Sequence, residues 1–241
     1  MGEADLVLEA ARDAYRRRDW AGARERFAAA RALGGELAAE ELDALADAAW
    51  WLGAVEEASA VLEEAYRRHL DEGRPGPAAM AAIGIGVNHL LRGDGVVGSG
   101  WLARAQRALR DQPERAEHGY VLYLELEGAL GGGDPVAVAA TACRVRDLGR
   151  RHADPNLVAA GDLFEGRALV RQGRMADGMA LLDEAMLAVL SGELGPEWAG
   201  NIYCHLMAAF AELGDVRRGG RVDRGHRPLA GRPARGRAGH R

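Results

Sequence analysis

The side chains best suited to bind a metal or attack a substrate are few in this chain. Its histidines are His69, His89, His118, His152, His205, His226 and His240, and its cysteines are Cys143 and Cys204. Neither set has the spacing of a zinc site or a disulfide framework. Cys204 and His205 are adjacent, so on a helix their side chains diverge and cannot chelate together. The chain lacks G-x-x-x-x-G-K-[ST], H-E-x-x-H and G-x-S-x-G. Gly84-Ile85-Gly86 has no third glycine and no strand before it, and Gly95-Val96-Val97-Gly98-Ser99-Gly100 has no lysine after it. Glu56-Glu57 and Glu63-Glu64, with Arg67-Arg68 at i+4, read as a solvated helix face. The expectation is no catalytic residue, no metal, no cofactor and no enzyme.

Composition agrees with a folded binding protein. The chain of 241 residues is 48% hydrophobic and 28% charged. Every basic residue is Arg, and there are three serines and one threonine, as in a GC-rich gene. The formal charge of −5 is uneven: residues 217–241 hold nine Arg against one Asp, which leaves −13 on the rest. An acidic body argues against direct DNA binding by the folded part. The N-terminus has no apolar signal segment, and no run is long and apolar enough to span a membrane. Both cysteines read as core or half-buried thiols in a reducing cytoplasm.

A turn glycine at the end of one helix recurs through the chain, with a small residue five places on. It stands at Gly53/Ala58, Gly93/Gly98, Gly133/Val138, Gly173/Gly178 and Gly214/Gly219, at a period of 40 or 41. Arg18/Ala23 is a further copy without the glycine. Such a period marks a helical repeat array. Apolar spacing predicts pairs at about 4–18 and 21–33, 37–52 and 54–71, 77–92 and 95–110, 113–131 and 135–151, and 155–172 and 174–191. A sixth pair begins at Pro196. Asp71 to Pro75 reads as a loop, and Pro135 and Pro155 as early helical residues. Trp50-Trp51 offers either core packing or a binding platform, and His89 reads as a packing residue.

The residues after each turn explain the pattern. Position five is small where two helices cross closely. Position nine is large (Phe27, Leu62, Leu102, Leu182), with Ala142 weak. Position twelve is small again (Ala30, Ala65, Ala105, Ala185), with Val145 an exception. No pair buries its apolar face alone, so stacking must supply a shared core.

This small, large, small pattern resembles the tetratricopeptide repeat. That family also has a small residue seven before the turn, matched by Ala46, Gly86 and Gly166 but not by Leu126 or Met207. The period of 40 departs from the family's 34, which implies longer helices or longer loops between pairs. Runs such as Ala48-Ala49-Trp50-Trp51-Leu52-Gly53, Gly100-Trp101-Leu102-Ala103-Arg104-Ala105 and Gly178-Met179-Ala180-Leu181-Leu182-Asp183-Glu184-Ala185 resemble the repeat region of actinobacterial LuxR-type transcriptional regulators. The resemblance covers nearly all of 4–213 and implies the regulatory part of such a protein, without its helix-turn-helix. It implies an all-α, right-handed α-solenoid over 1–216. It also implies that the first helices line a concave face holding Asp43, Asp47, Trp50, Tyr120, Tyr123, Glu127, Arg167, Arg171 and Asn201. That face is either an ordinary solvated surface or the groove for a protein or small-molecule effector. A stand-alone adaptor for protein–protein interaction is the second reading.

After Val216 the periodicity ends. The basic tail at 217–241 has three readings: disordered chain, a nucleic-acid-binding arm without aromatics to stack bases, or out-of-frame translation.

Overall fold

The computed structural model describes residues 2–129 and 132–214. Among them eleven helices follow one another with no strand. They are α1 (Glu3–Arg16), α2 (Trp20–Ala32), α3 (Ala39–Trp51), α4 (Val55–Asp71), α5 (Pro75–Leu91), α6 (Gly95–Leu109), α7 (Ala116–Ala129), α8 (Pro135–Arg151), α9 (Pro155–Arg171), α10 (Met175–Ser191) and α11 (Pro196–Glu212). Neighbouring helices pack consecutively, as in an all-α repeat fold. The chain forms two compact units, Met1–Val121 and Leu122–Arg241, with the junction inside α7. The tail at 217–241, Gly131 and Gly219 lie outside the described residues.

The short turns share one construction. Gly53 is left-handed, at φ +77°. Its N–H donates to the Trp50 carbonyl, and the Ala54 N–H reaches back to the Ala49 carbonyl, each at 2.9 Å. This double closure satisfies carbonyls that a helix end otherwise leaves open. The same two bonds recur at Arg18/Asp19, Gly34/Gly35, Gly73/Arg74, Gly93/Asp94, Ala153/Asp154 and Gly173/Arg174. Apart from the turn at Gly34, the second residue is already the N-cap of the next helix. Asp19 and Asp154 also accept backbone N–H bonds there through their carboxylates.

These turns explain the long period. Left-handed residues stand 20 apart at 53, 73 and 93, and again at 153 and 173. Between them lie helices of 17 residues, α4, α5 and α9. The repeat of 40 is therefore two steps of 20, and the added length over a 34-residue repeat sits in the helices. The expected loop from Asp71 to Pro75 is corrected accordingly. Only 72–74 form the turn, and Pro75 opens α5, where its missing N–H leaves no bond unmade. Pro135, Pro155 and Pro196 open α8, α9 and α11 in the same way. Gly133 departs from the series, because its backbone is not left-handed. A Cβ there would stand 2.8 Å from the Ala129 Cβ, so close approach is what requires glycine.

Arg18 and Ala153 hold the left-handed conformation without being glycine, at φ 58° and 52°. For an L-residue this conformation costs roughly 1–2 kcal/mol. Arg18→Gly is therefore expected to raise the unfolding free energy by about 1 kcal/mol, less the entropy glycine adds to the unfolded chain. Gly93→Ala should lower it by a similar amount, and the two denaturant midpoints read the opposite signs.

The small residues before and after each turn meet at the helix crossings. A Cβ on Gly86 would stand 3.1 Å from the Gly98 carbonyl oxygen, and one on Gly98 would stand 2.9 Å from that of Gly86. Gly166 and Gly178 repeat the contact at 2.8 and 2.6 Å. Ala11, Ala23, Ala46 and Ala58 hold the equivalent positions in the first two pairs and are buried. Around the first crossings Phe27, Ala30, Leu42, Leu45 and Ala65 form one core cluster.

The acidic pairs of α4 are not arranged as i+4 pairs with Arg67 and Arg68. Glu57 binds Arg24 and Glu64 binds Arg31, both on α2, while Glu56 binds Arg92. Arg68 reaches Glu36. The charged face is thus laced across from one element to another, α2 to α4 above all, rather than along one helix.

Candidate functional site

The second unit gathers chemistry-bearing side chains from α7, α9 and α11. Each helix contributes one stripe at helical spacing. These are Tyr123 and Glu127 on α7, Phe164, Arg167 and Arg171 on α9, and Trp198, Asn201 and His205 on α11. Tyr123 is buried and meets the rings of Trp198 and Phe164 edge-on, at 4.8 and 5.9 Å between centroids. Its hydroxyl donates to Glu127 and lies 3.0 Å from Asn201 Oδ1. His205 Nε2 stands 3.2 Å from the same Glu127 carboxylate.

The electrostatics follow from that geometry. Burial raises the Tyr123 hydroxyl far above its ordinary range, and the charge of Glu127 adds to it, so the phenol stays protonated. Burial pushes Glu127 up as well. Hydrogen bonds from His205 and Tyr123, with the charges of His205 and Arg167, outweigh it and hold the carboxyl below its usual range. Arg167 also donates to Glu212 at 3.1 Å.

Beside this network is a cleft of about 250 Å³, lined by Leu126, Ala129, Val138, Phe164, Arg167, Ala168, Arg171 and Glu212. Its origin is local. Leu126 and Val138 are the residues seven before and five after Gly133, the two places where the pairs at Gly53, Gly93 and Gly173 put Gly or Ala. Large side chains stand where the other crossings are tight, and both border the cleft.

In the first unit, Asp43 and Asp47 lie one turn apart on α3, both half-buried. Tyr15 donates to Asp47 at 2.8 Å, and His69 Nε2 stands 2.8 Å from Asp43. His69 is fully buried on α4, and its Nδ1 has no partner among the described residues. Burial raises both carboxyls, against the opposing hydrogen bonds from His69 on Asp43 and from Tyr15 and Trp51 on Asp47. Each aspartate is thus tied to a neighbouring helix rather than free on an open face. Trp50 meets Trp51 edge-on at 5.2 Å, and Trp51, 37% exposed, stacks on Trp20 at 5.7 Å.

Of the nine residues read from the sequence, Tyr123, Glu127 and Asn201 share one network, and Arg167 and Arg171 share the cleft beside it. Tyr120 is half-buried on the part of α7 in the first unit. Sequence reasoning missed Phe164, Trp198, His205 and Glu212, although Phe164 falls three before Arg167 on the same face. It also missed Tyr15 and His69. Cys143 is half-buried as expected, but Cys204 is exposed, off the α11 stripe of Ile202, Leu206 and Ala209 that is buried. Among the described residues no group of three His, Cys, Asp or Glu is placed to hold a metal ion, and no helix is long and apolar enough to cross a membrane. No protein-family model matches the chain, and no curated protein matches it.

Proposed function

We propose that this chain is a non-catalytic binding scaffold, the repeat part of a LuxR-type transcriptional regulator, which senses a protein or small-molecule effector through its first helices. The observation that carries the reading is the row of Tyr123, Phe164, Arg167, Trp198, Asn201 and His205. It brings aromatic faces and polar ends from three successive first helices to one place. Tyr123 and Phe164 are buried and form the base of the row, so the surface offered to a partner is the partly exposed Trp198, Asn201 and His205 with Arg167. The resemblance of the repeat runs to that regulator family supports the assignment to transcription. Coiling of the tetratricopeptide-like pairs into a right-handed α-solenoid, and residence in the cytoplasm, belong to the same proposal.

A stand-alone adaptor would use the same row without any connection to DNA. Transcript profiles of cells with and without the full chain separate the two. Under the regulator reading, loss of the chain changes transcription of a defined set of genes. A profile unchanged beyond replicate variation rejects that reading in favour of the adaptor.

A further inference from the structure

We infer that the cleft of the second unit binds a small amphiphilic carboxylate, an acyl chain of medium length with one anionic head. The inference rests on the scaffold reading above and names the ligand class for it. Arg167 and Arg171 lie four apart on α9, so their guanidinium groups emerge on one face of that helix. Arg167 is mostly buried and holds the Glu212 carboxylate by a single Nη2, with its two oxygens at 3.1 and 3.4 Å. Arg171 is exposed and makes no ion pair among the described residues. The floor between them and α7 is apolar, from Leu126, Val138 and Phe164.

Glu212 shows what the head group must be. It closes α11, is 67% exposed, and among the described residues is the one acidic group lining the cleft, against two guanidinium groups. Glu212 itself returns to water readily, whereas the mostly buried Arg167 must be paired again, so only an anion can take the place of Glu212. An incoming carboxylate would take its place and reach Arg171 as well, where planar guanidinium favours planar carboxylate. Glu127 also faces Arg167, but its carboxylate is held by Tyr123 and His205. A cation would meet both arginines unshielded. The volume of about 250 Å³ lies below the roughly 300–1,000 Å³ of drug-sized sites, which favours a short acyl chain over a bulky ring system.

Octanoate titrated into the full chain by calorimetry tests this, with octanol and octylamine as controls. Octanoate should bind about tenfold more tightly than either control. Arg171→Gln, at an exposed position, should weaken it about fivefold or more, and Glu212→Gln, which removes the competing carboxylate, should tighten it about threefold. No octanoate binding up to about 10 mM, equal binding of octanoate and octanol, or indifference to both substitutions overturns the inference. None of these outcomes alters the transcript profile, which reports separately on the regulator reading.

Discussion

Gly178→Val will destabilise the second unit by about 3 kcal/mol, although it removes a glycine from the interior of a helix. Helix propensity alone points the other way, since helical glycine costs up to about 1 kcal/mol relative to alanine. Packing decides the sign. A Cβ on Gly178 would stand 2.6 Å from the Gly166 carbonyl oxygen and 2.7 and 2.9 Å from Val170 Cγ2 and N. Two of those three neighbours are backbone, so α9 and α10 must separate before valine fits. Overpacking of this kind costs typically 1–3 kcal/mol, and more where backbone has to move. Gly100→Ala on α6 is the control, because a Cβ there meets nothing within 4 Å. It should stabilise by about 0.5–1 kcal/mol. Equilibrium denaturation of both variants reads the two signs, and stabilisation by both would refute the tight crossing.

The second strong effect is at Arg146. This side chain runs from α8 across to α9, where it stands 3.2 Å from Asp162 Oδ1 and 2.6 Å from Glu165 Oε2. All three side chains are mostly buried, at 13, 10 and 18% exposure. Gly161 keeps the lane open, since a Cβ there would stand 2.5 Å from the Arg146 Cβ. Arg146→Leu leaves two buried carboxylates without their cation and should cost about 3 kcal/mol at neutral pH.

The pH dependence gives the mechanism a separate reading. Burial already raises the Asp162 carboxyl, against the bond and charge of Arg146 that lower it. Without Arg146 burial remains the largest influence and raises the carboxyl, with the charges of Arg150 and Glu165 opposing each other. A carboxyl whose folded pKa is raised binds its proton more tightly in the folded state, so its unfavourable contribution fades as pH falls through that raised value. The difference between variant and wild type should therefore shrink from pH 7 towards about pH 5, above the ordinary carboxylate range near 4. A difference that stays constant over that interval would show that lost packing, not stranded charge, is the cause.

How much of this was legible in the sequence depended on whether the cause was local. A turn that needs a left-handed residue announces itself as glycine, so Gly53, Gly93 and Gly173 placed the pairs correctly. The step of 20 was equally visible in Gly53, Gly73 and Gly93, but Gly73 was absorbed into a loop because Pro75 follows it. Arg18 and Ala153 show the limit of that signal, because the same turn closure holds the conformation there on residues that give no sign of it. The small residues at the crossings were legible, and so were the exceptions Leu126 and Val138, which now border the cleft. Partnership across helices was not. His69 and Asp43 lie 26 residues apart and Tyr123 and Asn201 lie 78 apart. Only folding brings such pairs together, so the partners of Asp43 and Asp47, His69 and Tyr15, could not be read from the sequence.

The step of 20 residues also bears on how such a chain can change in length. One step adds one helix, but it reverses the direction of every helix after it relative to the earlier ones. A first helix would then arrive where a second belongs, with its small crossing residues turned to the wrong neighbour. Two steps restore the alternation. Gains and losses within either array should therefore come in blocks of 40, with single blocks of 20 tolerated only at an end, where no later helix depends on the count.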